Sequence, residues 1–294
     1  LHQAAMLGLL AGTISCGLLF TCSDFLVTHV LTMNETARAY ALQYVYMAAF
    51  AAPFSGVVFA INAALRGSGD TRLPFWIMMS VGILNVIFSV IFVFADAPLG
   101  GWRIGGIAAG TVCGYGISMC ILLFIMLRRR KKIFTGRKNE SLEELVREQG
   151  EHYAPPLYLS FSHLRPDMGM QKRILKIGLP QAVEVFGMWG IQMFCLSIIS
   201  ELPVKGVLGV HNIAVRIESL SFLPGFAIGM AASTLVGQYL GARNALMARI
   251  TIWKCMRYAV IFMTGLGVLF SAFPALFMEI FSNGSTTLID TGIP

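Results

Sequence analysis

The chain has 294 residues, of which 56% are hydrophobic and 13% charged, with a formal charge of +7. Soluble domains carry about 25% charged residues, so a soluble core would have to hide nearly all of this chain, and the mean hydropathy of +0.72 argues the same way. The positive charge is clustered rather than spread over a docking face, which excludes a nucleic-acid-binding protein.

Apolar runs of about 20 residues recur along the chain, the length that crosses a hydrocarbon layer of ~30 Å at 1.5 Å per residue. Run length and flanking charge predict seven spans, at about 3–25, 41–65, 73–95, 104–127, 174–200, 208–238 and 254–281. The fold class is therefore an all-α, polytopic integral membrane protein lying in the lipid bilayer. Residue 1 is Leu and no signal-peptide n-region or cleavage site precedes the first span, so the natural start is expected to lie elsewhere.

The second and third spans are joined by Arg66-Gly67-Ser68-Gly69-Asp70-Thr71-Arg72-Leu73-Pro74. Gly67 and Gly69 suit a tight reversal, Asp70 is placed to cap the following helix, and Arg66 and Arg72 suit a membrane surface. The segment is not a P-loop, because the GK[ST] ending is missing. After the fourth span comes Arg128-Arg129-Arg130-Lys131-Lys132, a juxtamembrane basic run. The hydrophilic stretch 128–173 separates four spans from three, so the chain divides into 1–127, a linker at 128–173, and 174–294. Within the linker, Ser141 with Glu144 forms a capping-box pattern that predicts a short surface helix, and Pro155-Pro156 predicts extended chain after it.

Placing the linker in the cytoplasm puts the 66–72 turn and the 239–254 region on the same side. Eighteen Lys and Arg then lie inside, against Arg38, Arg103 and Lys205 outside. That bias sets the orientation. The six cysteines lie in or beside apolar runs and form no CxxC pair, so they read as small buried hydrophobes. Pro53, Pro180, Pro224 and Pro274 fall inside spans, where proline frees a carbonyl and kinks the axis.

Ionisable groups inside a membrane cost roughly 3 kcal/mol at the centre, so they are functional candidates by default. Glu184, Arg216 and Glu218 are the three here. Glu184 lies one turn after Pro180, and burial would make it a proton or Na⁺ site. Glu218 shares a helix face with His211, seven residues earlier, whereas Arg216 points elsewhere. Phe186, Met188, Trp189, Met193 and Phe194 are candidates for a wall that stacks on flat cations, or equally for a face that meets lipid.

Three segments in order resemble the multidrug and toxic compound extrusion (MATE) transporters: Arg66–Pro74 with Asn85 eleven residues later; Gly105–Thr111 (GGIAAGT); and Gly209–Ala242 (GVHNIAVRIESLSFLPGFAIGMAASTLVGQYLGA). Leu175–Glu184 (LKIGLPQAVE) is a fourth match. The resemblance covers essentially the whole chain. It implies a two-lobe transporter of twelve helices, of which this chain would hold helices three to six of the first lobe and one to three of the second. The sequence would then be part of a longer protein, monomeric at full length. Arg66, Gly67, Gly69, Asp70, Arg72, Pro180, Pro224, Gly237 and Gln238 are the family-motif positions. The implied activity is efflux of a small cationic or amphipathic compound across the cell membrane in exchange for H⁺ or Na⁺, with no other cofactor and no enzymatic step.

Within that family, several members place a second-lobe glutamate eight residues after the proline, where this chain has Met188. Members with an intrahelical cation site place Asn, then Asp four residues later, with Thr in the next helix. Asn85 and Thr111 match, but the Asp position is Ser89, which makes Asn85 an interhelical hydrogen-bond donor. Two alternatives are a lipid-linked precursor flippase of the same superfamily and a membrane-embedded enzyme. The first needs a cationic cavity, and only Arg216 lies mid-span. The second needs paired catalytic groups at one depth, and none is found.

Overall fold

The computed structural model describes residues 1–25, 27–28, 35–95, 101–136, 157, 166–202 and 207–282. Among these residues every regular element is helical. We number the helices α1 (His2–Phe25), α2 (Glu35–Ala49), α3 (Ala51–Gly67), α4 (Arg72–Phe94), α5 (Arg103–Gly136), α6 (Met168–Ser200), α7 (Val207–Gly241), α8 (Ala245–Ala272) and α9 (Pro274–Ser282). Six of them are long and apolar enough to cross a membrane by themselves, and α2 with α3 supplies a seventh as a bent pair. The chain is thus an all-helical, multi-span membrane protein.

Four predicted spans differ in detail. The span at 41–65 breaks into α2 and α3 at Phe50, with a bend of 46°. Pro53 follows the break, and as a proline it offers no N–H to the Ala49 carbonyl. The span at 254–281 starts much earlier, at Ala245, and ends at Ala272; Pro274 then opens α9 as its first residue, where a missing N–H costs nothing. The predicted 239–254 loop shrinks to Ala242, Arg243 and Asn244. Arg243 takes φ 57°, and the Asn244 side chain accepts from the Met247 N–H at 3.1 Å, capping α8. Likewise α5 continues past Arg128 to Gly136, and α6 begins at Met168, so both helices extend into the hydrophilic stretch. The Ser141–Glu144 capping box and Pro155-Pro156 lie outside the described residues.

The chain forms two compact units, Leu1–Gly178 and Leu179–Pro294. In the first, α1 packs on α3 and α4 on α5. Both contacts are made by small residues, as expected where lipid leaves only van der Waals packing to join helices. Gly8 and Gly56 face each other so closely that a Cβ on either would meet the other's carbonyl oxygen, and a Cβ on Gly12 would meet that of Ala52. On the other pair, Gly106, Gly110 and Gly114 of α5 lie against Phe92, Ser89 and the Val81–Asn85 turn of α4. Between them sits a core of Val57, Val58, Ile61, Leu65, Ile77, Leu122 and Met126. Asn62 is fully buried there, and its amide has no hydrogen-bond partner among the described residues.

The polar ends of this unit sort by charge. At one end Arg38 pairs with Asp24 at 2.8 Å and Arg103 donates to the Tyr40 hydroxyl at 2.9 Å. The other end holds Arg66, Arg72 and the start of the 128–132 run, and there Gln171 Nε2 of α6 donates to Gln3 Oε1 of α1 at 3.0 Å. In the second unit α7 packs on α8, Gly225 lying against Met263, and α9 folds back onto α7. The cysteines depart from the expected burial: Cys22, Cys120 and Cys195 are exposed and the other three are half-buried. A thiol on a lipid-facing helix surface needs no partner, so burial is not required of it.

Candidate functional site

On α4 and α5, Asn85, Ser89 and Thr111 come together. Asn85 Nδ2 donates to Thr111 Oγ1 at 2.7 Å, and Thr111 Oγ1 donates to the Ile107 carbonyl at 3.2 Å. Ser89 Oγ lies 3.3 Å from the same carbonyl and 3.5 Å from Asn85 Oδ1. Gly110 makes this possible, since a Cβ there would occupy the space of Ser89 Oγ. The cluster is a set of neutral oxygens that staples two helices. Ser89 brings no carboxylate to it.

Glu218 is exposed on α7 and lines an open cavity of about 380 Å³ with Ala214, Ile217 and Ser221 of the same helix, Phe270 of α8, and Pro274, Phe277 and Met278 of α9. Ala214, Ile217, Glu218 and Ser221 share one face at helical spacing. The Phe270 and Phe277 rings meet edge to face at 4.8 Å. A carboxylate against aromatic and thioether walls suits an organic cation with a flat apolar body. His211 lies half-buried on α7, Arg216 is exposed, and Pro224 sits inside an unbroken α7 with Gly237 and Gln238 near its C-terminus. The aromatic and methionine walls from α8 and α9 escaped sequence reading. The signal that could have found them is Pro274, which turns the chain back towards α7.

Glu184 departs from its expected burial. It lies on α6, one turn after Pro180, and its carboxylate accepts from Gln181 Nε2 of the same helix at 3.1 Å. Glu184, Met188 and Trp189 are all exposed, as are Phe186, Met193 and Phe194. Within the second unit neither α7 nor α8 packs along α6 among the described residues, so neither withdraws these side chains from their surroundings.

The 66–74 turn is held from two sides. Gly69 takes φ 91°, which favours glycine. Asp70 Oδ1 accepts from the Leu73 N–H at 3.2 Å, closing the first turn of α4, and Asp70 Oδ2 receives Arg129 Nη1 at 2.7 Å from α5. Partial burial pushes the Asp70 pKa up, but the Arg129 hydrogen bond, the Leu73 N–H, the Arg129 charge and the Arg72 N–H outweigh it. The carboxyl is left below its ordinary value. Arg129 was legible only as one of five basic residues; nothing in the run marks it as the partner of Asp70.

The MatE family profile matches residues 1–91 and 180–291. The chain is similar to a probable multidrug resistance protein NorM of Thermotoga maritima, 26% identical over 262 residues that make up 89% of this chain and 51% of that protein. It is similar to the multidrug resistance protein NorM of Vibrio cholerae at 23% identity over 251 residues, 83% of this chain and 48% of that one. The chain spans about half the length of the curated relatives it matches. Among solved structures, a multidrug resistance MATE family transporter of the MOP superfamily in an outward-facing conformation matches with a TM-score of 0.77 at 18% identity, covering 98% of this chain and 58% of that one. A MOP superfamily transporter from Pyrococcus furiosus, described as having a binding pocket of reversed polarity, matches with a TM-score of 0.76 at 18% identity, covering 99% and 59%.

Proposed function

The chain belongs to the MatE family, a family of transporters and not of enzymes, and on that footing we propose that it works in secondary active efflux of a cationic or amphipathic compound across the cell membrane. The observation that carries this reading is Glu218 beside Phe270, Phe277 and Met278 in an apolar cavity. A carboxylate there attracts a cation, and the walls accept its hydrophobic part. The multidrug resistance names of the NorM relatives support the same reading. We place the 128–173 linker in the cytoplasm on the strength of the basic-residue bias, and 1–127 in a first lobe and 174–294 in a second because that hydrophilic stretch separates them.

The proposed exchange is with H⁺ or Na⁺, and Glu184 is the proposed coupling carboxylate. A side chain on a proline-containing helix is well placed to change its surroundings as that helix bends. The compound leaves when the ion arrives, so the two need not be bound at one residue.

The test is dye efflux from proteoliposomes carrying the protein, driven by a proton gradient in one arm and a sodium gradient in the other. Glu218→Gln should raise the KM for a cationic dye by about tenfold or more, the scale of one lost charged contact, and leave a neutral dye unaffected. Glu184→Gln should abolish the response to the gradient. Coupled efflux of normal rate by Glu184→Gln would overturn its role, and unchanged cation affinity in Glu218→Gln would overturn the cavity assignment.

A further inference from the structure

We propose that the Asp70 end of the α4–α5 pair is a binding surface for the anionic headgroups of membrane phospholipids. One arrangement occurs there twice. Arg72 opens α4, exposed, with Phe75 and Trp76 three and four residues further on, 57% and 66% exposed and in edge contact at 5.4 Å. Arg128, also exposed, lies over the Phe124 ring at 4.7 Å, and Phe124 itself is 57% exposed. Arg72 thus stands at the start of α4 and Arg128 at the end of the apolar part of α5, each with an uncovered aromatic about one turn deeper. A turn of about 5 Å matches the step from phosphate level to the acyl boundary, where aromatic rings settle.

The charge balance at this end is uneven. Between residues 66 and 136 the only acidic residues are Asp70 and Asp96, and Asp96 follows the opposite end of α4 in the sequence; Asp167, brought to this end by its contact with Gln3, already accepts from the Gly169 and Met170 N–H groups. Asp70 is neutralised by Arg129 at 2.7 Å. The turn's one carboxylate is therefore taken, and Arg72 and Arg128 present their charge outwards on apolar helix faces. A phosphate supplies what these faces lack, and an acyl chain covers Phe75, Trp76 and Phe124. The inference rests on the chain spanning a bilayer and is independent of what it transports.

The experiment measures lipid binding to the detergent-solubilised protein by native mass spectrometry, with thermal unfolding alongside. The probes are phosphatidylglycerol and phosphatidylcholine of equal chain length. Phosphatidylglycerol should bind more tightly, and added salt should weaken the preference. Arg72→Gln/Arg128→Gln should lose about twenty-five-fold of it, at roughly fivefold per basic residue near a membrane surface. Arg72→Lys/Arg128→Lys should keep it, and decides the matter if the glutamine variant does not fold. Equal binding of the two lipids by the wild type, an undiminished preference in the glutamine variant, or its loss in the lysine variant would overturn the proposal.

Discussion

Asp70→Asn and Asp70→Ala separate the two jobs of one carboxylate. Asparagine keeps a side-chain oxygen for the Leu73 N–H, because Asn and Asp cap helices about equally well. What it removes is the pairing with Arg129. The two side chains are 31% and 27% exposed, so water screens part of the attraction, and a loss of about 1 kcal/mol is expected. Alanine removes the cap as well, adding about 1 kcal/mol for a total near 2. The assay is unfolding in detergent followed by circular dichroism. The pH dependence has a definite sign. The folded-state pKa of Asp70 is lowered, so the stabilisation is present above the unfolded value of about 3.9 and fades as pH falls through the folded value. Wild type and Asp70→Asn should therefore converge in acid. Zero coupling in an Asp70→Asn/Arg129→Gln double-mutant cycle would refute the pairing. A gap that widens in acid would refute the sign.

Three further outcomes follow from packing. Gly110→Val should destabilise the first unit by about 1–3 kcal/mol, since the new side chain meets Ser89, whereas Gly17→Ala, with open space around it, should be neutral or better in the same unfolding assay. Asn62→Leu should raise the unfolding temperature, because it removes an unpartnered buried amide that costs about 1–3 kcal/mol. Arg38→Ala should change stability by less than about 1 kcal/mol, its pair with Asp24 being largely exposed.

Most of the span pattern was readable because a lipid-facing helix must be apolar along its whole length, and run length then counts the crossings. The Asp70 cap was readable because capping is local: donor and acceptor lie three residues apart. The Asn85–Thr111 contact was suggested only by resemblance, since no local rule pairs residues 26 positions apart. Arg129 was hidden for the same reason, among neighbours of identical charge. The cavity beside Glu218 was hidden twice over, because its walls come from helices whose break at Pro274 looked like the middle of one span. Glu184 misled in the opposite way. Its apolar neighbours suggested burial, but apolar sequence alone does not say which helix, if any, packs over a given face.

The bend between α2 and α3 bears on how the first unit can move. In a straight helix the Ala49 carbonyl would accept from the N–H of residue 53, and that residue is proline. Elsewhere, changing a helix angle sharply means rupturing a rung of the hydrogen-bond ladder. At this step that rung is missing, so the 46° angle depends more on side-chain packing, with Ala49 and Ala51 buried on either side, beside the Phe50 N–H bond to the Met47 carbonyl. The segment is a joint whose stiffness belongs to its neighbours, and a change in what lies against it is enough to reset the angle.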